Sequence, residues 1–236
     1  MLIEVCVDSL AGVAEAVAGG ADRLELCAAL AVGGLTPSAG MMRAAAGCGV
    51  PVYAMIRPRA GDFVFFAGEV AVMLADIDAA RAAGLAGVVL GASMPDGRLD
   101  VGVLAQLVAA AQGMGLTLHR AFDLVPDMAE AVEVAVGLGF ERILTSGQAV
   151  TAVAGIEGLA RVFDLAAGRI GVMPGAGVSA ATVGKLRARL PLREVHGSCS
   201  VVVGCTGQVA ALGFAGPGLR ETRAAEVRAL RAALTH

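Results

Sequence analysis

The chain has 236 residues, 57% of them apolar and 3% aromatic, with 33 glycines and a formal net charge of −3. That length suits one large domain or two small ones and can bury a substantial core. Lys185 is the only lysine, so Schiff-base chemistry, which needs an amine nucleophile, is excluded unless Lys185 carries it.

A slightly acidic balance without a basic run offers nucleic acid no electrostatic footprint, and the scarcity of aromatics leaves few platforms for stacked bases. The longest stretch free of Asp, Glu, Lys and Arg is Val195–Leu219, which contains His196, Gln208, Pro217 and six glycines. That is not a lipid-compatible segment, so no membrane span is expected. The opening MLIEVCVDSL carries Glu4 and Asp8 and lacks a basic start, unlike a signal peptide. Five cysteines without a CxxC spacing read as reduced thiols in a cytoplasmic protein.

Short β-rich runs alternate with Ala- and Leu-rich helical stretches. Ile3–Val7 leads into a helix over Leu10–Ala18, and Arg23–Cys27 follows. Next come Pro51–Arg57 with a helix over Glu69–Ala83, and Gly87–Leu90 with one over Val101–Met114. Leu116–His119 precedes a helix over Met128–Leu138, and Arg142–Thr145 precedes one over Val150–Ala166. Ile170–Met173 is followed by Ala180–Leu190, and Glu194–Gly197 is the eighth strand. A C-terminal helical region covers about 205–234, with Cys205 at a helix start, and its main helix lies near Gly218–Leu234. His236 ends the chain, where order is commonly lost. Glycines such as Gly20, Gly84 and Gly168 fall where helices give way to strands, the position at which a left-handed residue closes a last turn.

Eight strand–helix units without a linker predict an α/β fold, a (β/α)8 TIM barrel forming a single domain over 1–236. An open doubly wound sheet would ordinarily carry a glycine-rich dinucleotide fingerprint after its first strand. Val7–Gly12 has none, so no nucleotide cofactor is indicated.

Strand alternation assigns the faces. Ile3, Val5 and Val7 take the helix-facing side, which turns Glu4, Cys6 and Asp8 into the barrel. Glu25 and Cys27 point inward on the second strand, Tyr53, Met55 and Arg57 on the third, Thr117 and His119 on the fifth, and Glu194, His196 and Ser198 on the eighth. Barrel interiors are ordinarily aliphatic. Buried carboxylates in this number must meet Arg57, a neighbouring arginine or a metal. A structural salt-bridge network and a functional site at the C-terminal mouth both satisfy that requirement.

The mouth also gathers the distinctive strings: EVCVDS, ELCAAL, GGLTPS, MIRPRAGDF, HRAFD, RILTSG, GVMPGAGV and VHGSCS. In this order and spacing the chain resembles the CutC family, proteins named for copper homeostasis, from Glu4 through the eighth strand. Gln148 stands where that family usually has a glycine, and Pro174 is a second departure. The resemblance implies a barrel, a cytoplasmic location, a homo-oligomer (a dimer or higher) and a role in copper handling. It also implies Cys6 and Cys27 as Cu(I) ligands.

Cu(I) is soft and favours thiolates, and equivalent positions on adjacent strands lie about 4.8 Å apart. Cys199, just after the eighth strand, is an outside third candidate. The alternative is a TIM-barrel isomerase, lyase or hydrolase acting on a small anionic or phosphorylated metabolite. For that reading Glu25, His119, Asp123 and His196 are the acid–base candidates. Arg57, Arg59 and Arg120 would face the anion, with Asp62 orienting the first two. Gly175, Gly177 and Ser198 lie in the loops after strands seven and eight, where barrels bind phosphate through backbone N–H groups. The histidines and carboxylates could equally hold a divalent metal such as Zn²⁺ or Mn²⁺.

Overall fold

The computed structural model describes residues 1–214, 216 and 218–235; His236 lies outside them. Eight strands, β1 (Leu2–Val7), β2 (Arg23–Leu26), β3 (Val52–Met55), β4 (Gly87–Leu90), β5 (Gly115–Leu118), β6 (Arg142–Thr145), β7 (Gly171–Pro174) and β8 (Glu194–Gly197), form one parallel sheet. Its order is β7-β6-β5-β4-β3-β2-β1-β8, so the sheet curls until β7 and β8 face each other and the (β/α)8 barrel is nearly closed. No ladder joins these two strands among the described residues. The seam is instead filled from β8 across Gly171 of β7 and Gly175 just after it. A Cβ on Gly171 would come within 2.9 Å of the Glu194 Oε1, and one on Gly175 within 3.5 Å of the His196 ring.

The helices begin where the sequence supplies acceptors. Ser9 Oγ takes the Gly12 amide at 3.0 Å to start α1 (Leu10–Gly19), and Gly20, at φ 92°, closes it. Asp100 caps α4 (Val101–Ala110) and Asp127 caps α5 (Met128–Gly137) in the same way, each satisfying amides that a helix start otherwise leaves free. The remaining helices are α2 (Ala39–Ala45), α3 (Ala67–Ala82), α6 (Ile156–Ala166), α7 (Val183–Arg187), α8 (Gln208–Ala211) and α9 (Ala224–Thr235). Except for α8, which buries none of its residues, their apolar faces pack on Ile3, Val5, Leu24, Leu26, Val88, Leu90 and Ile143, all on the outer faces of the strands and fully buried.

Two expectations change. The short α2 was not anticipated, since seven residues show too little periodicity. Residues 205–234 are not continuously helical: β9 (Ser200–Val202) and β10 (Arg220–Thr222) form an antiparallel ribbon, Cys205 lies in irregular backbone before α8, and α9 starts only at Ala224. That last helix docks on α1, where Gly19 lets Val227 approach so closely that a Cβ would sit 2.5 Å from it. Arg231 adds an ion pair to Asp22 at 2.5 Å.

Candidate metal and anion site at the barrel mouth

The parallel register assigns the interior layer by layer. Glu4 stands opposite Arg23 and His196, Cys6 opposite Glu25, Glu25 opposite Tyr53, and Thr117 opposite Arg142. The lower layer is an ion-pair network. Arg23 binds Glu4 through Nε and Glu194 through a terminal nitrogen at 2.7 Å, while Arg142 reaches Glu194 at 3.3 Å and Thr117 Oγ1 at 2.9 Å. Both guanidiniums lie over the Tyr53 ring, 5.3 and 5.1 Å from its centroid. Tyr53 fits because β4 and β5 present Gly87 and Gly115 beneath it; a Cβ on either would overlap the ring. Arg23 and Arg142 are the interior residues that residue-by-residue reading missed. The signal was present, because Arg23 shares the parity of Glu25 and Cys27, and Arg142 that of Leu144.

Above this floor Glu4 holds His196. Its carboxylate meets Nδ1 of the imidazole at 2.8 Å, leaving Nε2 turned toward Glu25 Oε2, 3.8 Å away. Burial pushes the Glu4 carboxyl up, yet the His196 hydrogen bond and the Arg23 charge outweigh it and bring the pKa to about 2. Burial opposes charge on His196 as well, but Glu25, Cys6 and Glu4 around it hold the imidazole well above its ordinary value. Glu25 is raised by its own burial, against the pull of His196.

Ligand atoms of Cys6, Glu25 and His196 all lie within 4.8 Å of one another, and all three residues are buried. Cys27 stands outside this set. Cys6 is level with Glu25 rather than with Cys27, because the stagger of a tilted barrel offsets neighbouring strands. The Cys27 thiol donates to Glu25 Oε2 at 3.5 Å and packs with Tyr53, Met55 and Val89. Burial and the Glu25 charge push its pKa well up. Cys199 belongs to the hydrophobic core, and burial raises its thiol to about 11.

The cavity at the C-terminal ends of the strands has a volume of about 290 Å³. Of the sequence candidates, Cys6, Glu25, Arg57, His119, Arg120 and His196 line it. Ala176 does too, between Gly175 and Gly177. Gly175 itself backs onto Leu144 and His196, and Gly177 faces Thr151.

The other candidates hold the rim together. Arg59 is turned away and clamped by Glu69 at 2.5 Å and Asp62 at 2.8 Å. Asp123 takes hydrogen bonds from Arg120 Nε, Thr145 Oγ1 and the Ser146 and Gln148 amides, so it ties the loops after β5 and β6. Ser198 Oγ pairs with Ser200 Oγ at 2.8 Å. Asp8 lies beyond β1 and accepts the Leu30 amide. Gln148 has φ 61°, a conformation that favours glycine. The side chain compensates by donating to the Val125 carbonyl.

The CutC family profile matches residues 1–201. The chain belongs to the CutC family. It is 60% identical over 235 residues to a CutC family protein of Sinorhizobium medicae, covering 99% of this chain and 96% of that one. A CutC family protein of Agrobacterium fabrum is 57% identical over 237 residues, covering 100% and 94%. Among solved structures, the copper homeostasis protein CutC from Streptococcus agalactiae aligns with TM-score 0.79 and 33% identity over 84% of this chain and 98% of that one. A thiamine phosphate pyrophosphorylase from Pyrococcus furiosus aligns with TM-score 0.61 at 15% identity, over 99% of this chain and 95% of that one. This last likeness shows the barrel fold alone. No described helix of this CutC family member is long and apolar enough to cross a membrane.

Proposed function

We propose that this protein binds a thiophilic metal ion, Cu(I) in the first place, at the mouth of its barrel through Cys6 Sγ and His196 Nε2, with the Glu25 carboxylate as a third donor. The observation that carries the reading is the convergence of these three ligand atoms within 4.8 Å. A thiolate with an imidazole suits copper and zinc alike. The word copper in the name of the Streptococcus agalactiae relative supports the first. Glu4 supplies what a ligating histidine needs behind it: a carboxylate on Nδ1 fixes the tautomer and aims Nε2 at the ion. Arg23 in turn anchors Glu4. Five cysteines with no disulfide suit a reducing cytoplasmic setting, in which Cys6 stays available.

The test is an anaerobic Cu(I) titration against a competing chelator. Cys6→Ser lowers the affinity at least tenfold, the scale set by loss of a metal ligand or its support. Cys27→Ser leaves it within twofold. Equal affinities for the wild type and Cys6→Ser would refute the site, and a loss confined to Cys27→Ser would replace it with a different one.

A further inference from the structure

Three polar atoms buried at the mouth have no hydrogen-bond partner: Glu25 Oε1, Arg57 Nε and His119 Nε2. They belong to side chains of residues only 3%, 6% and 2% exposed, and all three residues line the same 290 Å³ cavity. Buried polar atoms are almost always paired, because leaving one unpaired forfeits its hydration for nothing. Three such atoms on residues that line one cavity point to a ligand that completes them.

The neighbours of the two nitrogens fix their hydrogen-bonding sense. His119 Nδ1 accepts the Ala121 amide at 3.1 Å, so the neutral ring carries its proton on Nε2, and that nitrogen is a donor. Burial and the nearby Arg57 charge keep the ring neutral, at a pKa of about 3. Arg57 spends three of its five N–H groups on the carbonyls of Val32, Gly34 and Gly61 at 2.8–3.1 Å, which leaves the Nε–H and one Nη2–H as free donors. Phe63 holds both groups in place: its ring lies 4.7 Å from the His119 ring and 5.0 Å from the Arg57 guanidinium carbon. His119 owes its position to Gly91, where a Cβ would come within 2.5 Å of the imidazole. Arg120 adds a second guanidinium to the lining. Glu25 Oε1, by contrast, is an acceptor in the ionised carboxylate.

We infer that the mouth binds a small hydroxylated organic anion, whose carboxylate or phosphate oxygens accept from His119 Nε2 and Arg57 Nε while a hydroxyl donates to Glu25 Oε1. A cavity of this volume lies near the lower end of small-molecule sites, so the ligand is a small metabolite. This inference is independent of the metal reading, since neither Arg57 nor His119 is a metal ligand, although both sites use Glu25.

Calorimetric titration of protein stripped of metal by chelators, with inorganic phosphate, glycerate and glycerol in separate runs, tests it. Saturable binding of phosphate or glycerate at millimolar concentration, with none of glycerol, supports the inference, and the anion that binds identifies the oxyanion. His119→Asn keeps an acceptor for the Ala121 amide and loses the Nε2 donor, so it weakens that anion at least tenfold, as expected for a hydrogen bond to a charged group. A second readout needs no variant: the His119 Nε2–H resonance of the wild type moves on saturation. Glycerol binding as tightly as glycerate, failure of both anions to saturate, or an Nε2–H signal unmoved at saturation overturns the inference. Because no metal is present, such failure leaves the Cys6-dependent Cu(I) titration standing.

Discussion

His119 gives the protein an acid sensitivity that can be isolated and measured. Burial and the Arg57 charge hold the ring at about 3 against an ordinary 6.5, so the folded protein refuses a proton that the unfolded chain accepts. For a depressed histidine the stability is complete above the unfolded value and is lost as pH falls through the window toward the folded one. Between pH 7.5 and 4.5 the unfolded chain gains two decades of protonation free energy, or about 3 kcal/mol at roughly 1.4 kcal/mol per decade. Glu25 works in the opposite direction over part of this window, because its raised carboxyl takes up a proton first in the folded state. The measurement is therefore a difference between two proteins. Urea unfolding of wild type and His119→Asn is followed from pH 7.5 to 4.5, with the slope on denaturant checked for constancy. The variant starts less stable, having lost the ring contact with Phe63, and the gap then closes by about 3 kcal/mol as pH falls. A gap that stays constant within about 0.5 kcal/mol would refute the argument, because it would mean His119 titrates alike in both states.

Gly115→Ala forces a methyl into the Tyr53 hydroxyl on the barrel floor, and overpacking of this kind costs about 1–3 kcal/mol; thermal unfolding shows the loss, and adding Tyr53→Leu restores most of it. A stability equal to that of the wild type would mean that Tyr53 does not occupy the floor. Asp123→Asn turns an acceptor of at least four donors into a group that must present its own N–H to one of them. It lowers stability by about 1–3 kcal/mol while leaving Cu(I) affinity within twofold, whereas an unchanged unfolding midpoint would return Asp123 to the list of candidate acids.

The eight strands were legible because each is a short β-rich run closed by glycine-bearing turns, and parity alone turned Glu4, Cys6, Glu25, His119 and His196 into the barrel. Parity cannot supply the stagger between strands. It therefore suggested Cys6 beside Cys27, while the register places Cys6 beside Glu25. The roles of the rim arginines depend on loop backbone that no periodicity encodes: Arg57 is inside because three loop carbonyls receive it, and Arg59, two residues later, is pulled outward by Asp62 and Glu69.

The lone lysine ends as the sharpest link between sequence and chemistry. Barrels called aldolases align with this chain at 14% and 18% identity, a likeness of fold only. Lys185 lies exposed on α7, outside the barrel, so it offers the mouth no amine. The charge that the interior does hold is arranged as a relay of orientation: Arg23 fixes Glu4, Glu4 fixes His196, and His196 faces Glu25 and Cys6. Arg23 and Glu4 already balance each other, and buried charge is tolerated only in that state. Arg142 Nε in the lower layer and one atom each of Glu25, Arg57 and His119 in the upper layer are buried without a hydrogen-bond partner, and of these four residues only the upper three line the cavity. The proposed metal and anion sites both draw on this upper layer, and the lower layer, although more highly charged, holds it in place.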